Sequence, residues 1–594
     1  MKEFFKYFGA SLLAFIVGNI FISIAAFLMF FAIVAAFGTS SGPTVSESSI
    51  LLVNFSEPVM ENPAPEDEIG SLVEGKKIKV TRYIQAINEA AKDEKIKGIY
   101  LDLTNLGFMG GLGFSAMNEI EKALAEFRKT GKPVYAYSEY LDERAYFLAS
   151  AADSIFFNPV GMCNLNGIAA EIEFYRQMMD KIGVQAQIFR QGRYKGAVEP
   201  FSSDRLSPEN REQIQHYVSV LWQLIREKIA ANRKISPDSL SLLADNLATL
   251  ENEKLVKYRI VDKIGYAADV RNSLASHAGM KSPEKLKFIS VYDYINASGV
   301  SEYADGGGMS DEIAVIYVAG DIINGSSVDD ATGDKTVIRQ LRNAAESNDV
   351  KAIVVRVSSP GGSAIASENI WREIKTVNAV KPVVISMGDY AASGGYYLSA
   401  GASRIVTEPG TITGSIGVFA MLVNFKELLN NKIGITTDTV KSNRYSDYMS
   451  VYRPASEFEI LATQRSINST YLTFLQRVSE GRKMSVERVD SIAQGRVWTG
   501  IDAVKLGLAD TLGSFGDAVK IAAKLGGTKS YSVVNYTPRK SFIDRLFNSF
   551  ESKIKTLTGA AVPEVVSEGM DKIRVLERLK GTQTRMTFNL NLTF

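Results

Sequence analysis

The stretch KIKGIYLDL at residues 95–103 returns as DVKAIVVRV at 349–357, and this echo decides the architecture. Working outward, Ile84, Ala90 and Ala91 are matched by Ile338, Ala344 and Ala345. Downstream, Lys132-Pro133-Val134 is matched by Lys381-Pro382-Val383, and Tyr146-Phe147-Leu148 by Tyr396-Tyr397-Leu398. Val256-Lys257 with Asp262 and Gly265 is matched by Val504-Lys505 with Asp510 and Gly513. Solenoid repeats run to roughly 20–50 residues, so an offset near 250 marks a duplicated domain. The places where the two copies differ are therefore where function should be sought.

Each copy opens on a β-branched run, ILLVNF at 50–55 and IAVIYV at 313–318. A helical pattern, a second apolar run, a second helix and a third run (KPVYAYS, KPVVISM) follow in both. Short apolar runs alternating with helices predict βαβ units and a mainly parallel sheet. The copies are expected at 49–275 and 311–530. SGVSEYADGGGMSD at 298–311 reads as a small, polar, Gly-rich linker between them. A tail at 540–594 has no counterpart in the first copy and ends in MTFNLNLTF, which alternates like a strand.

With 594 residues and a formal net charge of +1, the chain carries no electrostatic footprint for nucleic acid. Cys163 is the only cysteine, which excludes intrachain disulfides and Cys-cluster zinc sites. The two histidines, His216 and His277, lie in helix-like stretches with no motif partner and read as surface residues. Residues 7–38 carry no charge. That run exceeds the roughly 20 apolar residues a spanning helix needs, and the roughly 7–15 of a cleaved signal core. Lys2 and Lys6 precede it and no Lys or Arg follows before Lys76. The expected topology is a cytoplasmic stretch at 1–6, a retained transmembrane helix at 7–38, and the bulk of the chain on the outer face.

The second copy holds VSSPGGSA at 357–364 after its second strand and MGDYAASGGYYLSAGA at 387–402 after its third. Ser393 followed by Gly394-Gly395 at a strand-to-helix turn is what an exposed nucleophile requires. The glycines allow close approach of a substrate, and the helix start leaves N–H groups aimed at developing negative charge. Gly362 N–H and Gly394 N–H together would form an oxyanion hole. The first copy has LDERAYFL at 141–148 instead, with Glu143 or Arg144 in the place of Ser393 according to where a one-residue gap falls.

Further along the loss is reversed. FRQGRYKGAVEPF at 189–201 faces VKSNRYSDYMSVYRP at 440–454, and aligning the shared Arg-Tyr sets Lys195 opposite Ser446. A serine needs a base, and a lysine serves if burial lowers its pKa toward neutrality. Taken alone, a lysine in a Gly-rich loop reads as a solvated side chain. The complementary losses point instead to one composite site, Ser393 from one copy and Lys195 from the other. Ser415, in TITGSIGV at 411–418, either orients the lysine amine or is an ordinary turn serine; the first copy has Leu165 there.

Through RYKGAVEPF, SPGGS, GDYAASGGYYLSA, TGSIGVF and GRVWTGIDAVKLGLAD, the chain resembles the long-form signal peptide peptidase A (protease IV) family of the ClpP/crotonase superfamily over nearly its whole length. The resemblance implies an α/β fold of two tandem domains, each a spiral of repeated ββα turns, behind one N-terminal transmembrane helix. It implies a serine endopeptidase with Ser393 as nucleophile, Lys195 as general base, Ser415 supporting the lysine, and Gly362 and Gly394 at the oxyanion. It further implies a homotetramer on the lipid bilayer of a bacterial inner membrane, acting on signal-peptide remnants at the outer face, with no metal or cofactor. Two competing readings carry their own discriminators. A crotonase-type thioesterase or acyl-CoA enzyme would not need Lys195, and an inactive membrane scaffold would not label at Ser393 with a phosphonate.

Overall fold

The computed structural model describes residues 43–61, 77–106, 112–280, 282–298, 311–328 and 331–536. It also describes short strands at Ala304–Asp305, Gly581–Arg585 and Asn591–Thr593, together with Lys6 and four residues of the N-terminal apolar stretch. The β-branched runs of each repeat form parallel strands buried on both faces, as parallel sheets must be. In the first repeat the order is Lys287–Ser290, Ser49–Asn54, Ile96–Asp102, Val134–Leu141, Ser154–Cys163 and Lys263–Ile264, all parallel. In the second the same order is Tyr531–Asn535, Glu312–Ala319, Val350–Ser359, Val383–Ala392, Arg404–Thr407 and Thr511–Leu512. Both sheets take a strand from beyond the expected bounds of 275 and 530. Of the expected linker, Ala304–Asp305 is a strand that pairs antiparallel with Ser532 and Tyr531; nearly all the rest lies outside the described residues.

The helices repeat as the strands do. Val80–Lys92 buries Val80, Tyr83, Ile87 and Ala90 on one stripe, and Asp334–Glu346 buries Val337, Leu341 and Ala344. This is the i, i+3, i+4 spacing that lays a helix against a sheet. Each repeat also has a 26-residue helix, Pro208–Arg233 and Glu457–Arg482. Ser207 and Ser456 cap their starts by accepting the N–H of Asn210 and Glu459, and each chain leaves its helix through a left-handed lysine, Lys234 or Lys483.

A third sheet belongs to neither repeat alone. It runs Ala331–Gly333, Asp321–Ile323, Gly361–Ser363 (the glycine strand), Gly581–Arg585 (the tail strand), Val418–Asn424 (the wall strand) and Gln185–Gln191 (the lysine strand). The lysine strand comes from the first repeat, yet it pairs antiparallel with the wall strand of the second from Gln185↔Asn424 to Gln191↔Val418. Phe189, buried on the lysine strand, belongs to the second repeat's apolar core. Ala392, Ile412 and Val497 pack in return into the core of the first. Burying one such phenylalanine contributes about 1.5–3 kcal/mol, so the crossing is held by packing as well as by the ladder.

Buried charge pins the repeats together beside the motif loops. Arg356, on the strand that leads into SPGG, lies 2.8 Å from Glu61 and 3.2 Å from Glu119. Asp389, four residues before Ser393, accepts the N–H of Gly113 at 3.1 Å and of Ser115 at 2.7 Å, at the start of helix Phe114–Arg128 of the first repeat. Burial, aided by the charge of Glu61, pushes its carboxyl up to about 6 against the pull of those N–H groups and Arg356. Glu408 takes bonds from Asn118 Nδ2 at 2.7 Å and Lys122 Nζ at 3.1 Å. Breaking a buried charge pair of this kind costs about 3–5 kcal/mol.

The expected membrane helix at 7–38 falls almost wholly outside the described residues; its described positions, Phe15, Val17, Gly18 and Phe21, are helical. Among the described residues, no helix is long and apolar enough to cross a membrane.

Candidate active site

Ser393 stands where the strand Val383–Ala392 gives way to the short helix Gly394–Ser399. Its backbone has φ 54° and ψ −112°, a conformation that L-residues rarely adopt. Two bonds hold it there. Ser393 N–H donates to Gly414 O at 2.8 Å, and Tyr397 N–H donates to Ser393 O at 2.7 Å. Gly394 is the first residue of the helix, which packs against the glycine strand. Within that strand Gly362 has φ +155°, and a Cβ built there would lie 2.1 Å from Ile322 O. Only glycine fits so close to the neighbouring backbone.

Lys195 arrives from the other repeat. Beyond the lysine strand the chain turns at Gly192, and Tyr194 N–H donates to Gln494 O at 2.9 Å. Lys195 Nζ then lies 2.7 Å from Ser393 Oγ, 3.0 Å from Ser415 Oγ and 3.0 Å from Ser415 O. Lys195, Ser393 and Ser415 are all 0% exposed. Burial holds the Lys195 amine well below the ordinary lysine range, because removing water penalises the charged form.

The segment Gln494–Val497 of the second repeat fastens this cluster. Gly495 N–H donates to Ile416 O at 2.8 Å, and Ser415 N–H donates to Arg496 O at 2.7 Å. Gly495 (φ +76°) passes so close to Lys195 that a Cβ would sit 2.7 Å from the lysine Cβ. Gln213, buried on the long helix of the first repeat, spans the junction with both ends of its amide. Its Nε2 donates to Tyr194 O at 3.0 Å, and its Oε1 accepts the N–H of Val497 at 3.0 Å. Asn210 donates to Glu199 at 2.7 Å and also contacts Gln213, extending the scaffold into the EPF turn. Reading the motifs did not reveal Gln213 or Asn210. Their signal is there in hindsight: with Tyr217 they put polar groups on the buried stripe of an amphipathic helix.

Strand register decides which residue of the first repeat occupies the nucleophile's place. Tyr390 and Ala391 pair with Ile412 and Thr413, as Tyr140 and Leu141 pair with Met162 and Cys163. Two residues after Ala391 is Ser393; two after Leu141 is Glu143. Its Oε1 accepts the N–H of Asn166 and of Gly167, each at 2.7 Å. Burial pushes its carboxyl up to about 7. Ser446, aligned with Lys195, lies in an exposed turn and bonds locally to Asn443 O. His216 pairs with Asp502 at 2.8 Å, and His277 lines an open depression of about 440 Å³ with Lys263 and Phe156. Among the described residues, no group of three or more His, Cys, Asp or Glu could hold a metal ion.

The model of Peptidase family S49 matches residues 126–281 and 375–529, and that of Clp protease matches 305–409. The chain is 35% identical to Protease 4 of Salmonella typhi over 88% of its own length and 86% of that protein. It is 36% identical to Protease 4 of Haemophilus influenzae over 76% and 73% of the two chains. It is 31% identical to the chloroplastic serine protease SPPA of Arabidopsis thaliana over 81% and 72%. The fold is ClpP-like α/β, with the S49 match made twice, once in each repeat.

Proposed function

From the premise that this chain belongs to peptidase family S49 and is a serine protease, we propose that it is a Ser/Lys endopeptidase whose two catalytic side chains come from different repeats. The single observation that carries this reading is the approach of Lys195 Nζ to 2.7 Å from Ser393 Oγ with both groups fully buried. A neutral lysine amine has two N–H bonds and one lone pair. Ser415 O and Ser415 Oγ accept the two N–H bonds, which turns the lone pair to the Ser393 hydroxyl. The amine takes that proton as Oγ attacks the scissile carbonyl, and the ammonium returns it to the leaving amine. The acyl-enzyme is then hydrolysed by a water that Lys195 deprotonates. A positioned base of this kind accelerates a reaction about 10²–10⁴-fold.

The developing oxyanion lies against the N–H groups of Gly362 and Gly394, where each donor is worth about 10²–10³ in rate. The substrates are short apolar peptides, signal-peptide remnants among them, met at the outer face of a bacterial membrane to which residues 7–38 anchor a homotetramer. Supporting the anchor are the charge-free length of that stretch and the two lysines before it.

The test is cleavage of a quenched apolar peptide by detergent-solubilised enzyme. Ser393→Ala and Lys195→Ala, each folded, are expected to lose about 10⁴-fold or more. Cleavage by Lys195→Ala at the wild-type rate would sink the assignment of the base.

A further inference from the structure

Laid on each other by strand register, the two copies differ in length at one bend. In the first, Ser138 pairs with Phe157 and Tyr140 with Met162, so Glu139 alone lies between the pairs. In the second, Met387 pairs with Thr407 and Tyr390 with Ile412, so two residues lie there, Gly388 and Asp389. The partner segments between the same points, 158–161 and 408–411, are equal in length. The extra residue therefore belongs to the strand that carries Ser393. On its other edge the same bend is a bulge, with Met387 paired to Val357 and Ala391 to Ser359. Glu139 is exposed and accepts the Tyr137 hydroxyl at 3.0 Å. Asp389 is buried and reaches into the first repeat.

The helix Phe114–Arg128 of the first repeat starts on Gly113, which has no side chain to cap it. Its counterpart in the second repeat, Ala364–Asn378, is capped by its own Ser363, which accepts Ala366 N–H. Asp389 supplies the missing cap from the other repeat. Its carboxylate accepts the N–H of Gly113 at 3.1 Å, of Ser115 at 2.7 Å and of Ala116 at 3.4 Å. A Cβ at Gly113 would lie 2.3 Å from Asp389 Cγ, so the glycine is what lets the carboxylate in. Thr411 Oγ1 fastens the bend by donating to Gly388 O at 2.7 Å, and it lies 3.4 Å from Ser115 Oγ. From there Tyr390, Ala391 and Ala392 run in register with Ile412, Thr413 and Gly414. The next residues on the two segments are Ser393 and Ser415, the pair that meets Lys195.

We propose that Asp389 is a positioning residue for the Ser393–Lys195 pair. Seated at the lengthened bend of the second copy, it caps a helix of the first and so sets where the strand delivers its serine. The inference rests on the reading of Ser393 and Lys195 as the catalytic pair. Those two groups come from different repeats, so their spacing depends on how the repeats are keyed near the site. Asp389 keys them four residues from Ser393. A shift of about 1 Å at the bend carries the hydroxyl away from the amine without altering either group, and misplacement on that scale costs up to about 10²-fold in rate.

Two substitutions in the full-length enzyme reach the contact from opposite sides. Asp389→Ala removes the cap and Gly113→Ala blocks its seat, and neither residue bonds to Lys195 or Ser393. Three readouts follow: kcat and KM for a quenched peptide, counted per Ser393 titrated with a fluorophosphonate; the rate of that labelling; and hydrogen exchange of a fragment covering 387–398. Both variants should lose about tenfold or more in kcat and in labelling rate, with KM within about twofold and faster exchange in the fragment. Asp389→Asn should fall between them and wild type, because one oxygen still accepts Ser115 N–H while its amide nitrogen cannot accept Gly113 N–H. Wild-type kcat and labelling in Gly113→Ala together with Asp389→Ala (or Asp389→Asn, should the alanine variant not fold) would overturn the proposal, whatever the melting temperatures. If Ser393 fails to label in the wild-type enzyme while peptide is still cleaved, the catalytic assignment has failed and this proposal falls with it; with labelling intact, the outcome belongs to Asp389 alone.

Discussion

At the turn after Val383–Ala392 the chain enters its helix through Ser393 at φ 54° and ψ −112°. At the matching turn after Val134–Leu141 it enters through Asp142 at φ −92° and ψ −175°, with the Asp142 side chain accepting Ala145 N–H, and Glu143 is already helical. One copy retains an uncommon backbone to aim a hydroxyl at a lysine. The other has relaxed into an ordinary capped helix start, with a carboxyl gripping the N–H groups of Asn166 and Gly167. The segment that carries the lysine shows the opposite contrast: buried and cross-paired in the first copy, an exposed local turn around Ser446 in the second. On the proposed Ser/Lys reading each half lacks one element of the site, and a single lysine strand crosses over to complete the other half.

The sharpest way to break this comparison is to give the first copy the residue of the second. Lys195→Ser leaves no base in either half, and peptide cleavage should fall by about 10⁴-fold or more. Appreciable cleavage near neutral pH would mean that another group takes the serine proton. Gly362→Ala comes next. It puts a Cβ against Ile322 O and disturbs the proposed oxyanion donor, so kcat should fall about 10²–10³-fold. An unchanged kcat would remove the glycine strand from the site.

Gln213→Leu tests the bridge between the halves, leaving Tyr194 O and Val497 N–H without their partner. Each unsatisfied buried group costs about 1–3 kcal/mol. If positioning is what Gln213 does, kcat should drop about tenfold or more and the alkaline-rising limb of the pH profile should move as water reaches Lys195. A lower melting temperature with unchanged kcat and profile would make the residue purely structural.

The smallest effect belongs to the silent half. Glu143→Gln should change cleavage by no more than about twofold, well inside the spread left by surface substitutions. Its signature is in stability. The carboxyl is raised to about 7 in the fold, so its contribution is fully present below the unfolded value near 4.3 and is lost as pH rises through about 7. Melting curves between pH 4 and 8 should therefore decline less steeply in Glu143→Gln than in wild type; parallel curves would show that Glu143 does not titrate there.

Much of the molecule is legible along the chain. Duplication, alternation of β-branched runs with helices, and complementary losses around Ser393 and Lys195 all lie in local patterns. Such patterns report which backbone a segment prefers and which face it buries. The residues that fasten the site are less legible. Asn210 and Gln213 look like ordinary helix polarity until the stripe they share with Tyr217 is known to be buried. Glu143 could not be told from Arg144, since only the paired registers of Tyr140 with Met162 and Tyr390 with Ile412 remove the one-residue ambiguity.

The sequence by itself determined that there are two α/β repeats, that each lacks what the other keeps, and that Ser393, Lys195 and Ser415 are the residues to watch. Tertiary structure alone decided that Lys195 and Ser393, 198 residues apart, lie 2.7 Å from each other. It also decided that the lysine amine is shut away from water, which holds its pKa below the ordinary lysine range, and that the tail lies between the glycine and wall strands. The physical reason is the same in each case. Hydrogen-bond register between distant strands and the exclusion of water are properties of the assembled sheet and core, and no single segment encodes them.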